Sequence, residues 1–123
     1  MKKSAASRFA CCPCSGKNLS KLVQPSILAI LSQGPLHGYA ITEQIAQTYG
    51  GPGTAPKHPG VYRLLRRMEE KGLLRSESGA SQTGPTRRVY AITADGKTCL
   101  QHWILSLCDY QKAIAAFLKI AQP

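Results

Sequence analysis

A chain of 123 residues with a hydrophobic share of 43% is large enough for one small folded domain with an appendage. Sixteen Lys and Arg against six Asp and Glu give a formal charge of +10, an excess that suits a polyanionic partner. The acids are too few and scattered for paired-carboxylate catalysis. No run reaches the roughly 18–20 apolar residues of a membrane span, so neither an enzyme nor a membrane protein is expected.

Residues 1–17 lack hydrophobic periodicity and read as an arm. Met1, Lys2 and Lys3 carry the charge of a signal-peptide start, but no apolar stretch follows them, so a cytoplasmic location is expected. Cysteines there are thiols or metal ligands rather than disulfides. Cys11, Cys12 and Cys14 leave three alternatives open: a reduced tail, a thiol-redox switch, or a site for zinc or another thiol-bound metal. Structural zinc needs four ligands; a fourth would come from Cys99 or Cys108 of this chain or a partner copy, or else these two are packing residues. No other cofactor is expected.

Asn18 is a candidate cap for a first helix. Leu19, Leu22, Val23, Ile27, Ile30 and Leu31 form its apolar stripe, and Pro25 either kinks that helix or starts it. GPLHG, residues 34–38, reads as a turn. A second helix is expected over 39–49, with Tyr39, Ile41, Ile45 and Tyr49 as candidates for burial, and Gly50-Gly51 ends it. Three prolines stiffen the loop 52–59.

The next helix, over 60–71 and stopped by Gly72, is the most informative. Val61, Leu64, Leu65 and Met68 fall at the i, i+3, i+4, i+7 spacing of one apolar face. Tyr62, Arg63, Arg66 and Arg67 project from the other faces. Strands are expected over 73–76 and 87–92, joined by a Gly- and Ser-rich tip over 77–85. A basic helix followed by a basic hairpin reads as a winged helix that contacts double-stranded DNA.

Thr93 is a good N-cap for a final helix over Ala94–Ala121, about 40 Å long. Leu100, Leu107, Ile114 and Ala121 recur every seven residues, and Trp103, Tyr110 and Phe117 stand three residues after the first three of them. Ile104 and Leu118 flank this a/d stripe. Too little sequence remains to cover it within one chain, so a homodimer is expected. The fold class is mainly α with a small β-wing. An arm (1–17), a winged helix-turn-helix domain (18–93) and a dimerisation helix (94–123) divide the chain.

Arg63 and Arg66 are the leading base-reading residues, because an arginine fork matches guanine O6 and N7 in the major groove. Lys57 and His58 at the helix entry suit phosphate contact, and Gly60 is a further DNA-contact candidate. Arg67 meets phosphate or pairs in solvent. Tyr62 either donates its hydroxyl to a phosphate or packs its ring on the second helix. Strand alternation turns one of Arg87 and Arg88 outward, toward the backbone or the minor groove. Two such helices in a dimer would read an inverted-repeat operator with half-sites about one helical turn apart, with steep salt dependence.

The stretches ILAILSQGPLHGYAI (27–41), GVYRLLRRMEEKGLL (60–74) and GPTRRVYAITADG (84–96), with the long aromatic terminal helix, resemble the PadR family of bacterial transcriptional regulators. The resemblance implies a dimeric winged helix-turn-helix repressor in which the C-terminal helix dimerises, as in the family's shorter members. One departure is Pro59-Gly60, where the family often has Gly-Thr before the hydrophobic-Tyr pair, so operator preference does not carry over. The resemblance also implies effectors bound between domains or in the dimer interface. Trp103 and Tyr110 then offer a stacking surface for a small aromatic effector, or else simply pack the dimer. Two other readings use the same scaffold: a metal or redox sensor working through the cysteine arm, and a dimeric adaptor docking an acidic protein. Histidines 37, 58 and 102 show no ligand or triad spacing.

Overall fold

The computed structural model describes residues 21–49, 58–78 and 88–122. Its elements run α1 (Val23–Leu31), β1 (Leu36–His37), α2 (Gly38–Tyr49), α3 (His58–Glu70), β2 (Leu74–Ser78), β3 (Arg88–Ile92) and α4 (Ala94–Ala121). The cysteine arm, Asn18, Leu19, Gly50, Gly51, Lys57 and Arg87 lie outside the described residues, as does most of the expected wing tip.

Pro25 sits in the first turn of α1, where a missing N–H costs nothing. The α-helix thus starts at Val23, two residues before the proline. Its inner face is Val23, Pro25, Ile27, Leu28 and Leu31. The GPLHG segment is more than a turn. Leu36 and His37 form a short strand antiparallel to β3, with Leu36 opposite Tyr90 and His37 opposite Val89. The sheet has three strands in the order β1-β3-β2, and β2 and β3 pair from Leu74↔Ile92 to Ser78↔Arg88.

Helix α2 buries Ile41, Thr42 and Ile45. Tyr39, a candidate for burial, is instead 52% exposed, because a face centred on Ile41 and Ile45 turns residue 39 away. The Thr42 hydroxyl donates to the Tyr39 carbonyl at 2.7 Å, which satisfies the buried polar group.

Helix α3 starts at His58, two residues earlier than expected, with Pro59 in its first turn. Val61, Leu65 and Met68 are at most 1% exposed; Leu64 is half-buried against the same core. The helix ends in a Schellman motif: the Gly72 N–H donates to the Glu69 carbonyl and the Leu73 N–H to the Met68 carbonyl, both at 3.0 Å. The motif needs a left-handed residue, and Gly72 supplies it with φ of 83°. Strand β2 follows, starting one residue later and ending two residues later than the expected 73–76.

Thr93 joins the end of α3 to the start of α4. Its Oγ1 accepts the Gly96 N–H at 3.0 Å as an N-cap and donates to the Gly72 carbonyl at 2.6 Å. Its N–H donates to the Leu73 carbonyl at 3.1 Å. Gly96 then lies so close to that strap that an added Cβ would overlap the Leu73 carbonyl and stand 2.7 Å from Ile92. Further along α4, Leu100 and Trp103 pack on the core formed by α1, α2 and α3 with Leu74 of β2 and Tyr90 of β3.

Candidate nucleic-acid interface

At about 3.6 residues per turn, burial of Val61, Leu65 and Met68 forces Arg63 to the opposite side of α3, with Arg66 and Arg67 flanking it. All three arginines are exposed. Among the described residues none of them forms an ion pair or a hydrogen bond. The result is a cationic ridge on α3 whose guanidinium donors have no partner among the described residues. Gly60, near the start of that ridge, has open space around its Cα. His58 occupies the first helical position.

Tyr62 is half-buried against the core, and its hydroxyl is buried without a hydrogen-bond partner. That geometry fits the packing alternative, since the phenol is not presented to a phosphate. Two neighbouring phenols have displaced titrations. Burial, then the nearby Glu69 carboxylate, push Tyr90 above its ordinary value, against an opposing pull from Arg88 and Arg66. A hydrogen bond from exposed Tyr39 to Glu43 raises the Tyr39 phenol.

The wing side of α3 carries a polar chain that the sequence reading missed. Ser76 of β2 donates its hydroxyl to the Glu69 carboxylate at 2.8 Å (Oε2) and 3.0 Å (Oε1). Arg88 of β3 donates Nε–H to the same Ser76 oxygen at 3.0 Å, and Nη1 to Ser78 Oγ at 3.4 Å. Arg88 is half-buried, tied to its own sheet, and its Nη2 has no partner among the described residues. The only sequence signal for this chain was the alternation that sets Ser76 and Arg88 on adjacent strands, and it required the register.

The terminal helix divides in two. Leu100, Trp103 and Leu107 are half-buried and border, with Leu22, Pro25 and Ile104, a hollow of about 280 Å³ against α1. Beyond them Tyr110 is 59% exposed and Phe117 62%, and Ile114 and Leu118 are exposed as well, as is Ile104 at the rim of the hollow. Cys99 is half-buried and Cys108 exposed, both as free thiols. Among the described residues no three metal-ligating side chains cluster, and no helix is long and apolar enough to cross a membrane.

Comparison with known proteins completes the description of this surface. Residues 27–102 match the model of the transcriptional regulator PadR-like family. The negative transcriptional regulator PadR of Bacillus subtilis is 27% identical over 85 residues, which cover 69% of this chain and 46% of that protein. The chain spans less than half the length of the curated relatives it matches. A PadR-like transcriptional regulator from Bacillus cereus superposes with a TM-score of 0.69 at 27% identity, over 82% of this chain and 95% of that one. Bacillus subtilis PadR in complex with operator DNA superposes with a TM-score of 0.56 at 26% identity, over 68% of this chain and 45% of that one.

Proposed function

This chain belongs to the PadR-like family of transcriptional regulators, and on that premise we propose that it is a dimeric repressor of the cytoplasm that binds duplex DNA in a sequence-specific way. The observation that carries the reading is the free arginine ridge of Arg63, Arg66 and Arg67 on α3. Guanidinium groups that are exposed and have no partner among the described residues suit bidentate recognition of base edges and charge-assisted contact with phosphate. The operator complex of the Bacillus subtilis relative supports the same use of this scaffold.

The exposed end of α4 supports the dimer. Tyr110, Ile114, Phe117 and Leu118 form a contiguous apolar strip on a helix that leaves its own core after Leu107. Exposed apolar strips of this kind mark interaction surfaces, and heptad spacing suits a second copy of the same helix. Two-fold pairing presents two α3 helices to two half-sites of an inverted repeat. The hollow beside Trp103 suits a small aromatic effector, which would relieve repression by shifting α4 and so changing the separation of the two α3 helices.

Fluorescence anisotropy on duplex DNA from upstream of the protein's own gene tests the reading, with a salt series and Arg66→Ala beside it. Tight, salt-sensitive binding that weakens in the variant supports an autoregulating repressor. Salt-insensitive binding that Arg66→Ala leaves unchanged counts against it and favours an adaptor for an acidic protein.

A further inference from the structure

Three groups meet where α3 faces the sheet: Glu69 on the helix, Ser76 on β2 and Arg88 on β3. Their proton directions are fixed by chemistry. A guanidinium only donates and an ionised carboxylate only accepts, so Ser76 must accept from Arg88 and donate to Glu69. The bonds are 3.0 Å from Arg88 Nε, and 2.8 and 3.0 Å to the two carboxylate oxygens. All three side chains are half-buried, where such charge-assisted bonds gain strength.

These bonds use the inner edge of the Arg88 guanidinium: Nε goes to Ser76, and one Nη1 proton reaches Ser78 at 3.4 Å. The Nη2 protons have no partner among the described residues. Glu69 stands on α3 itself, one turn from Arg66. The wing cation is therefore oriented from the helix rather than by its strand alone.

We infer that Arg88 contacts a phosphate of the DNA backbone through its outer Nη edge, and that Ser76 and Glu69 are positioning residues that lock it, and the wing, to the recognition helix. The inference rests on the DNA-binding reading above and names the wing contact within it. Helix and wing then meet DNA as one unit, without an entropic cost for fixing a long arginine side chain on binding.

The test uses the full chain and a 30-base-pair duplex enriched by that chain from a random pool. Arg88→Ala is expected to bind about tenfold more weakly, and to lower the log–log salt slope by about 0.9 for each phosphate it no longer neutralises. Ser76→Ala should weaken binding in the same direction, and Ser76→Thr, which keeps the hydroxyl, should restore it. Arg88→Lys should restore the slope more than the affinity, because a lysine cannot make the Nε bond. In the free protein, the Arg88 Nε–H resonance should exchange slowly with water in the wild type and in Ser76→Thr, and be lost in Ser76→Ala.

Unchanged affinity and slope in Arg88→Ala would overturn the phosphate contact. Full affinity in Ser76→Ala would overturn the relay. A pool that enriches no duplex would remove the DNA reading and the phosphate contact with it. The Nε–H resonance distinguishes that result from failure of the relay, since it is read without DNA.

Discussion

Gly96→Ala adds one methyl group where α4 crosses the strap after α3. The new Cβ would overlap the Leu73 carbonyl oxygen and stand 2.7 Å from Ile92 Cγ1. The carbonyl is backbone, fixed by the Schellman motif on one side and by the Thr93 N–H at 3.1 Å on the other, so it cannot swing aside as a side chain would. Overpacking of this kind costs about 1–3 kcal/mol. Pushing the carbonyl away from Thr93 adds about 1 kcal/mol for a weakened hydrogen bond. Alanine's higher helix propensity returns up to about 1 kcal/mol. The net is a loss of about 1–3 kcal/mol. Urea unfolding at fixed protein concentration measures it, followed by the fluorescence of Trp103, the chain's sole tryptophan, which lies on the α1–α4 contact. With a slope of about 1–3 kcal/mol/M, the midpoint should fall by roughly 1 M. A variant as stable as the wild type, or more stable, would refute the reasoning. Helix propensity would then be the larger effect and the α3–α4 joint would be loose.

Further outcomes follow from other sites. Tyr62→Phe removes a buried hydroxyl that has no partner, so it should raise stability by about 1 kcal/mol in the same assay and leave DNA affinity unchanged. Tyr90 is 3% exposed and its phenol is raised by burial and then by Glu69. The unfolded chain thus ionises first, near pH 10. The contribution is whole below that pH and is lost as pH climbs toward the folded value; Tyr90→Phe should flatten this alkaline decline in a pH series of urea midpoints. Phe117→Glu combined with Tyr110→Glu places charge on the exposed strip of α4. Sedimentation should show a folded monomer for this variant and a dimer for the wild type; a wild-type monomer would contradict the proposed pairing.

The elements whose signals are local were readable from the sequence. Val61, Leu65 and Met68 share one helical face whatever the tertiary context, and Thr93 with its following helix stood out from capping and the heptad alone. Strand β1 was not readable, because two residues carry no periodicity and Leu36–His37 becomes a strand only by pairing with β3. Tyr39 was misjudged by counting its ring as apolar, whereas its hydroxyl bonds Glu43 in solvent. The residue that did go inside, Thr42, is polar and qualifies only because it back-bonds to its own helix. Within the site, the arginines of α3 followed from helical spacing. The tether on Arg88 did not, because Glu69, Ser76 and Arg88 meet only through strand register and the docking of α3 on the sheet.

The central claim is that a dimer reads duplex DNA with the arginine ridge of α3. Its most direct test is a titration of a labelled duplex, enriched from a random pool, that reads stoichiometry, salt slope and the effect of Arg66→Ala together. The account predicts two protomers per duplex and an affinity that falls steeply with salt. It also predicts a loss of roughly ten- to a hundredfold in Arg66→Ala, with relaxed discrimination at one base pair of each half-site. Binding no tighter than to unselected duplex, or full affinity in Arg66→Ala, would contradict it.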